Sequence, residues 1–440
     1  MAPLPPLSTA GETDRRTGLA RVVPRWQVVP LAVGDVIGSG IYLLPAAAAA
    51  LLGPISILAV IAAGFVVALI VLCFAEASSY FDEPGGAYLY TREAFGPFVG
   101  FEVGWMTWIT RVATLASVAN GFALAATFLW PDAQRGLARA LLVAGPVLVL
   151  AGIHARGVRF GVGVSVGLVV AKLLPLLVFI GAGLFALDPT LLRISDPPPA
   201  GAFGEAALLL LFAYGGFENT SVAAGEFRNP RRDVPFALLV MILTVTLVYG
   251  LVQLVALGTH PGLAGSGSPL AESAARFLGG AGGVLLTIGA MVSILGLESN
   301  TTLNGPRYLY ALARDGYGPR ALAHVHARWR TPAVAIGFQT LVVLALAFSG
   351  SFVQLALLSV VARLATYAGT AAAVPRLRRR FAEREGRAVR LPGGALVPRA
   401  ALLLCLALLL SMRPANLLAG GVALLVGVLV YRSRRSPAAP

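Results

Sequence analysis

The sequence predicts an all-α integral membrane protein of about twelve transmembrane helices, built as a five-plus-five inverted repeat with discontinuous helices 1 and 6. Three observations lead there. The 440 residues are 57% hydrophobic and only 12% charged, with a mean hydropathy of +0.81, a composition foreign to ordinary soluble domains. Apolar stretches of about 20 residues, the length a helix needs to cross hydrocarbon, recur along nearly the whole chain. Two of them, five segments apart, are interrupted by glycines beside polar residues.

Residues 1–26 form a tail before the first segment, 27–50, which Val36-Ile37-Gly38-Ser39-Gly40-Ile41 breaks. Segments two to five follow near 54–79, 97–130, 137–153 and 158–187, closing a first repeat over 27–187. The second repeat, 203–373, opens with segment six at 203–223. There Leu211-Phe212-Ala213-Tyr214-Gly215-Gly216-Phe217-Glu218 sets two adjacent glycines and a carboxylate in mid-membrane. Segments seven to ten lie near 235–259, 279–313, 332–348 and 352–373. Segments eleven and twelve, 395–411 and 415–432, occupy 395–432 as additions to the repeat, and 433–440 is a second tail. Glycine by itself is weak evidence, since it commonly serves close packing in membrane helices and the chain has 50. The weight rests on two matched breaks, each beside polar residues.

The formal charge of +14 is not spread as a nucleic-acid surface would require. With a cytoplasmic N-terminus, 26 of the 34 basic residues fall inside and five outside, while Arg111, Lys172 and Arg363 lie within spans. That is the positive-inside pattern, which puts both termini in the cytoplasm and an even number of spans in the cytoplasmic membrane. The run from Arg376 to Arg390 is most simply a topology anchor, with anionic lipid as a second reading. Asp35, three glycines and Ser39 make the stretch before Ala46 a poor signal-peptide core. Cys73 and Cys405 sit in apolar spans and build no disulfide framework. His154, His260, His324 and His326 are expected in solvated loops at spacings that suit no metal. No cofactor, metal or nucleic acid is expected, and no catalytic motif points to an enzyme.

Unwound backbone survives in hydrocarbon only where it is buried in protein or lines a polar cavity. Half-helix N-termini offer free N–H groups suited to a carboxylate, and unwound carbonyls suit a cation. A zwitterion satisfies both. The amides of Gly38, Ser39 and Gly40 are expected to hold an α-carboxylate, with the Ser39 hydroxyl as a further donor. Carbonyls near Val36, Phe212, Ala213 and Gly215 are expected to hold an α-ammonium.

The chain resembles the amino acid, polyamine and organocation permeases, which share the LeuT-type fold. The motifs that carry the resemblance run in order along most of the sequence. Segment one has Gly34-Asp35-Val36-Ile37-Gly38-Ser39-Gly40-Ile41, and Pro84-Gly85-Gly86-Ala87-Tyr88 follows segment two. Segment six and its exit contribute Phe212 to Glu218 and Glu226-Phe227-Arg228-Asn229-Pro230. Pro306-Arg307-Tyr308, Ala313-Arg314-Asp315-Gly316 and Thr331-Pro332 complete the set. The resemblance implies the same site residues and makes Phe212 an aromatic gate. Gly215 departs from the branched residue more usual there, which implies a roomier pocket or a looser break.

A charge at the bilayer centre costs about 2.5–3.5 kcal/mol by insertion scales, so Arg111, Lys172, Glu218 and Glu298 must be paired, hydrated or neutral. Lys172 is the only lysine in the chain. The resemblance to sodium-independent members implies that it replaces a sodium ion beside helices one and eight, and hence proton coupling. An ammonium would hold segment one when protonated and release it when neutral. Snorkelling is the alternative, disfavoured because Lys172 lies roughly 20 Å into its span at about 1.5 Å per residue. Arg111 either recognises an anionic side chain or pairs with Glu218 or Glu298, and the cost of an unpaired arginine favours the pair. Glu298, on one helix face with Thr301 and Thr302, is the other ion-coupling candidate and an alternative partner for Lys172. Glu76 and Glu102 are expected at the interfaces, and Arg363 is expected to be a packing or gating charge.

The expectation is a secondary active amino acid transporter, monomeric or homodimeric, proton-coupled and sodium-independent, with neutral substrates favoured. Three alternatives stand beside it. They are an acidic amino acid transporter using Arg111, a cationic amino acid or polyamine exchanger using Glu218, and a non-transporting amino acid sensor.

Overall fold

The computed structural model describes residues 23–82, 85–157, 162–194, 197–199, 201–222, 224, 227–382, 389–391 and 393–433. Both expected tails apart from residues 23–26 and 433, the motif residues Pro84 and Glu226, and the stretch 383–388 of the basic run lie outside them.

The described chain is helical and contains no strand, only an isolated bridge between Val23 and Phe227. The first helices are α1 (Arg25–Val36), α2 (Ser39–Leu52), α3 (Ser56–Ser79), α4 (Gly86–Phe95) and α5 (Pro97–Ala125). Next come α6 (Gly136–Ala155), α7 (Val162–Gly183), α8 (Ala202–Ala213), α9 (Glu218–Val222) and α10 (Pro230–Thr259). The last five are α11 (Pro269–Arg314), α12 (Ala333–Ala347), α13 (Phe352–Arg380), α14 (Leu396–Leu410) and α15 (Pro414–Arg432).

Both expected interruptions are present as backbone geometry. After Val36 the chain leaves helical space at Ile37 (ψ 100°) and Gly38 (φ −135°, ψ −140°) before α2 begins. Between α8 and α9, Gly216 adopts φ +122°, a region L side chains rarely enter. A third irregularity, Gly279 at φ 70° and ψ −172°, falls inside α11 where the sequence places the start of segment eight. The preceding turns, from Pro269, and the short helix α4 were not among the expected segments. Both are too short or too polar to read as crossings.

Among the described residues, seven helical stretches are long and apolar enough to cross a membrane. Their outer faces confirm the solvent they suit. Leu58, Phe65, Leu243, Leu341 and Leu425 are each more than 60% exposed, and soluble proteins rarely carry such apolar surface in continuous form. The chain is a multi-pass membrane protein. Helix α5 is its centre: 89% of its most apolar window is buried, against 11% for peripheral α15. Helix α13 lies along α5, and α10 lies along α3.

Several single-residue expectations are corrected. His154 ends α6 rather than sitting in a solvated loop, is 3% exposed, and lies 3.0 Å from the Ser299 hydroxyl. His260 is also buried, 3.2 Å from Glu272. Glu76, near the end of α3, is fully buried in protein and takes a two-pronged contact from Arg378 at 2.5 and 2.7 Å. Glu102 is buried too, against Gly427 of α15. In each case the tertiary fold covers a residue that chain position alone leaves near a segment end.

Candidate functional site

The two breaks meet. A side-chain carbon added at Gly40 would stand 2.7 Å from the Cα of Ala213, and one at Gly216 would overlap the carbonyl oxygen of Asp35. Asp35 therefore faces Gly216 while Gly40 faces Ala213, so the two unwound stretches run past one another in opposite directions. Only glycine permits that approach at either position.

Around this crossing lies one cavity. Val36, Gly38, Ser39 and Gly40 line it from the first break, and Phe212, Ala213, Gly215 and Gly216 from the second. Arg111 and Thr114 enter from α5, Leu297 from α11 and Arg363 from α13. Eight of the predicted site residues are thus brought to one place. Glu218 sits beside it at the start of α9, while Lys172 and Glu298 stand outside the lining.

The donor side of the cavity is the N-terminus of α2. No side chain caps that helix, so its first-turn amides keep free N–H groups and a partial positive charge. The Ser39 hydroxyl is wholly buried and has no hydrogen-bond partner among the described residues.

The acceptor side is more occupied than the sequence implies. The Tyr249 hydroxyl, from α10, lies 3.2 Å from the carbonyl oxygen of Val36 and 3.0 Å from that of Ala213, donating to both. Arg363 Nη1 donates to the carbonyl of Phe212 at 3.4 Å, and its guanidinium fills the space a side chain at Gly215 would need. Three of the four carbonyls expected to face an ammonium already have protein donors. The Phe212 ring stands edge-on to Phe352 at 5.8 Å, with the Arg363 guanidinium 6.0 Å away.

The charges sort as follows. Glu218 is 5% exposed, and its Oε2 accepts the Tyr367 hydroxyl and the Gly216 amide, each at 3.0 Å. Its Oε1 lies 3.7 Å from Arg111 Nη2 and 3.7 Å from Arg363 Nε. Arg111 also donates to the Asn219 side-chain oxygen. Of the two carboxylates considered for Arg111, the one it pairs with is Glu218. Lys172 is buried, and its ammonium donates to the carbonyl of Gly34 in α1 under the attraction of the Asp35 carboxylate. The Asp35 side chain accepts from Asn300 of α11 at 2.7 Å. Glu298 pairs with neither Lys172 nor Arg111: it is wholly buried, and neither of its oxygens has a hydrogen-bond partner among the described residues.

Sequence reasoning gave no binding role to Tyr249, Asn219, Tyr367 or Asp35, and assigned Arg363 to packing or gating. Asp35 and Arg363 carried a signal, being charges within or beside a span. The two tyrosines carried none, since an aromatic residue in an apolar helix reads as core.

A family model described as amino acid permease matches residues 24–430 of the chain. The chain is similar to the methylthioribose transporter of Bacillus subtilis (strain 168), 28% identical over 445 residues, covering 97% of this chain and 96% of the relative. It is 30% identical over 333 residues to the serine/threonine exchanger SteT of the same organism, covering 73% and 75%. To the branched-chain amino acid permease BcaP, also from that organism, it is 26% identical over 452 residues, covering 96% and 94%.

Proposed function

The chain belongs to the amino acid permease family, and from that premise we propose that it is a secondary active transporter moving amino acids across the cytoplasmic membrane by alternating access. The observation that carries the reading is the single cavity lined by both helix breaks, with free amides on one side and unwound carbonyls on the other.

Twelve crossings form the frame of this proposal. The stretch Ser39–Ser79 is 41 residues long, roughly 60 Å at about 1.5 Å per residue, twice the hydrocarbon thickness of about 30 Å. It holds α2, which with α1 makes the broken first crossing, and α3, the second. With the four shorter apolar helices counted, the total is twelve. The opposed run of the two breaks supports a LeuT-type inverted repeat, and arginine segregation supports cytoplasmic termini.

In this scheme Ile37–Gly38 and Tyr214–Phe217 are the hinges about which α1 and α9 swing. Lys172 ties α7 to α1 through the Gly34 carbonyl. A protonated amine holds that tie and pairs with Asp35, while a neutral amine loses the charge that makes it strong, so proton release frees α1 to move. Glu298 is a second proposed ion-coupling group, able to exchange a proton without breaking any ion pair. The relatives' names specify different cargoes, so the substrate is argued from this cavity.

The test is uptake of radiolabelled amino acids by reconstituted protein with and without an imposed pH gradient. An inward proton gradient should accelerate uptake in sodium-free buffer, and Lys172→Ala should abolish that acceleration. A sodium requirement, or intact proton-driven uptake by Lys172→Ala, overturns the coupling role. Failure to take up any amino acid overturns the transport reading.

A further inference from the structure

Two guanidiniums and one carboxylate share the cavity and its edge. Arg111 and Arg363 are 3% exposed, Glu218 is 5% exposed, and both arginines approach the same oxygen, Oε1, at 3.7 Å. That is longer than the 2.7–2.9 Å or so of a charge-assisted hydrogen bond, so Glu218 balances part of their charge without satisfying their donors. The Nε of Arg111 and the Nε of Arg363 are buried with no hydrogen-bond partner among the described residues. Lys172 and Asp35 attract one another and stand outside the cavity lining. Counted over Arg111, Arg363 and Glu218, the cavity and its edge carry a surplus of one positive charge. Arg363 Nη2 donates to the Thr114 hydroxyl at 3.4 Å, which leaves the two Nε groups as the unpartnered guanidinium nitrogens, beside the uncapped N-terminus of α2 and the unpartnered buried Ser39 hydroxyl.

A zwitterion brings no net charge to offset that surplus. An expectation of neutral substrates follows if Arg111 alone faces Glu218, but Arg363, folded in from α13, changes the sum. Resting on the transport reading above, we propose that Arg363 is a substrate-specificity residue, and that it acts with Arg111 to take the side-chain carboxylate of an acidic amino acid. The α-carboxylate then lies at the α2 N-terminus beside Ser39, and the arginines' free donors close on the second carboxylate. Planar guanidinium forks suit this role because they can present paired N–H groups to a carboxylate.

The experiment uses isosteric pairs that differ in charge, L-glutamate against L-glutamine and L-aspartate against L-asparagine. It reads thermal stabilisation of the purified full-length protein and competition in reconstituted uptake. The acid should act at a concentration about tenfold or more below its amide, the scale of one charge-assisted hydrogen bond. Arg363→Gln should cut that ratio about tenfold, and Arg363→Lys should leave an intermediate ratio. If Arg363→Gln does not fold, Arg363→Lys decides, because loss of the fork must weaken the preference. Amides acting as well as acids, or an undiminished preference in a folded Arg363 variant, overturn this inference and leave amino acid transport standing. Response to no amino acid at all overturns the transport reading and this inference with it.

Discussion

At the residue scale, the site depends on a few groups whose partners leave no slack. Tyr249 joins the two breaks by holding the carbonyls of Val36 and Ala213 with one hydroxyl, and its ring lies 5.0 Å from that of Tyr214. Tyr249→Phe keeps the ring and strips both buried carbonyls of their donor. Leaving buried polar groups unsatisfied costs about 1–3 kcal/mol, so the variant should unfold at a lower temperature by that measure. Thermal denaturation of the purified protein checks it. An unchanged midpoint would mean that the helix ends hold together without this bridge. The glycines set the complementary limit: at Gly40 a methyl group meets backbone rather than a flexible side chain, so no neighbour can turn aside to admit it.

At the scale of elements, charges fasten helices and loops that hydrophobic packing alone would leave free to slide. Glu76 of α3 is the clearest case. It receives Arg378 of α13 on both oxygens and the backbone amide of Leu391 on one of them, while Ser79 accepts the amide of Val389. The segment before α14 is thereby pinned to the end of α3. Removing one partner of a buried ion pair costs about 3–5 kcal/mol, because the other is left uncompensated. Arg378 retains some exposure, so the low end is expected for Glu76→Gln. Hydrogen exchange should accelerate at Val389–Leu391 in that variant, and a second change, Arg378→Met, should recover part of the stability. Exchange as slow as in the parent protein would show that the segment is held by other contacts.

At the scale of the whole molecule, leucines, valines and phenylalanines are exposed on the outer faces of most of the helices. Arg111, Glu218 and Arg363 are turned inward beside α5, on which Arg111 lies. The proposed twelve-crossing topology puts the turn between α14 and α15 outside and the end of α15 inside. Cys73 and Cys405 are wholly buried, so cysteines introduced at exposed Ser411 and Ser433 report cleanly. With a membrane-impermeant thiol reagent on intact cells, Ser411→Cys should react and Ser433→Cys should react only after permeabilisation. The reverse pattern would invert the orientation, and equal reaction of both would place the two ends of α15 on one side.

The sequence by itself determined the helical class, most segment boundaries and both helix breaks. Hydrocarbon makes those features local: each span must satisfy its own backbone, so length, hydropathy and a glycine pair suffice to read them. The residues of the two breaks, which line one cavity, were legible as a pair for the same reason. What only the tertiary structure decided was the partner of each charge. Glu218 rather than Glu298 meets Arg111, Arg363 arrives at the same carboxylate, Lys172 grips a carbonyl, and Glu76 is buried by a segment far along the chain. Those choices depend on the rotation of each helix about its axis and on which distant helix lies against it. Hydropathy carries neither quantity, because a helix surrounded by lipid and other helices is apolar on nearly every face.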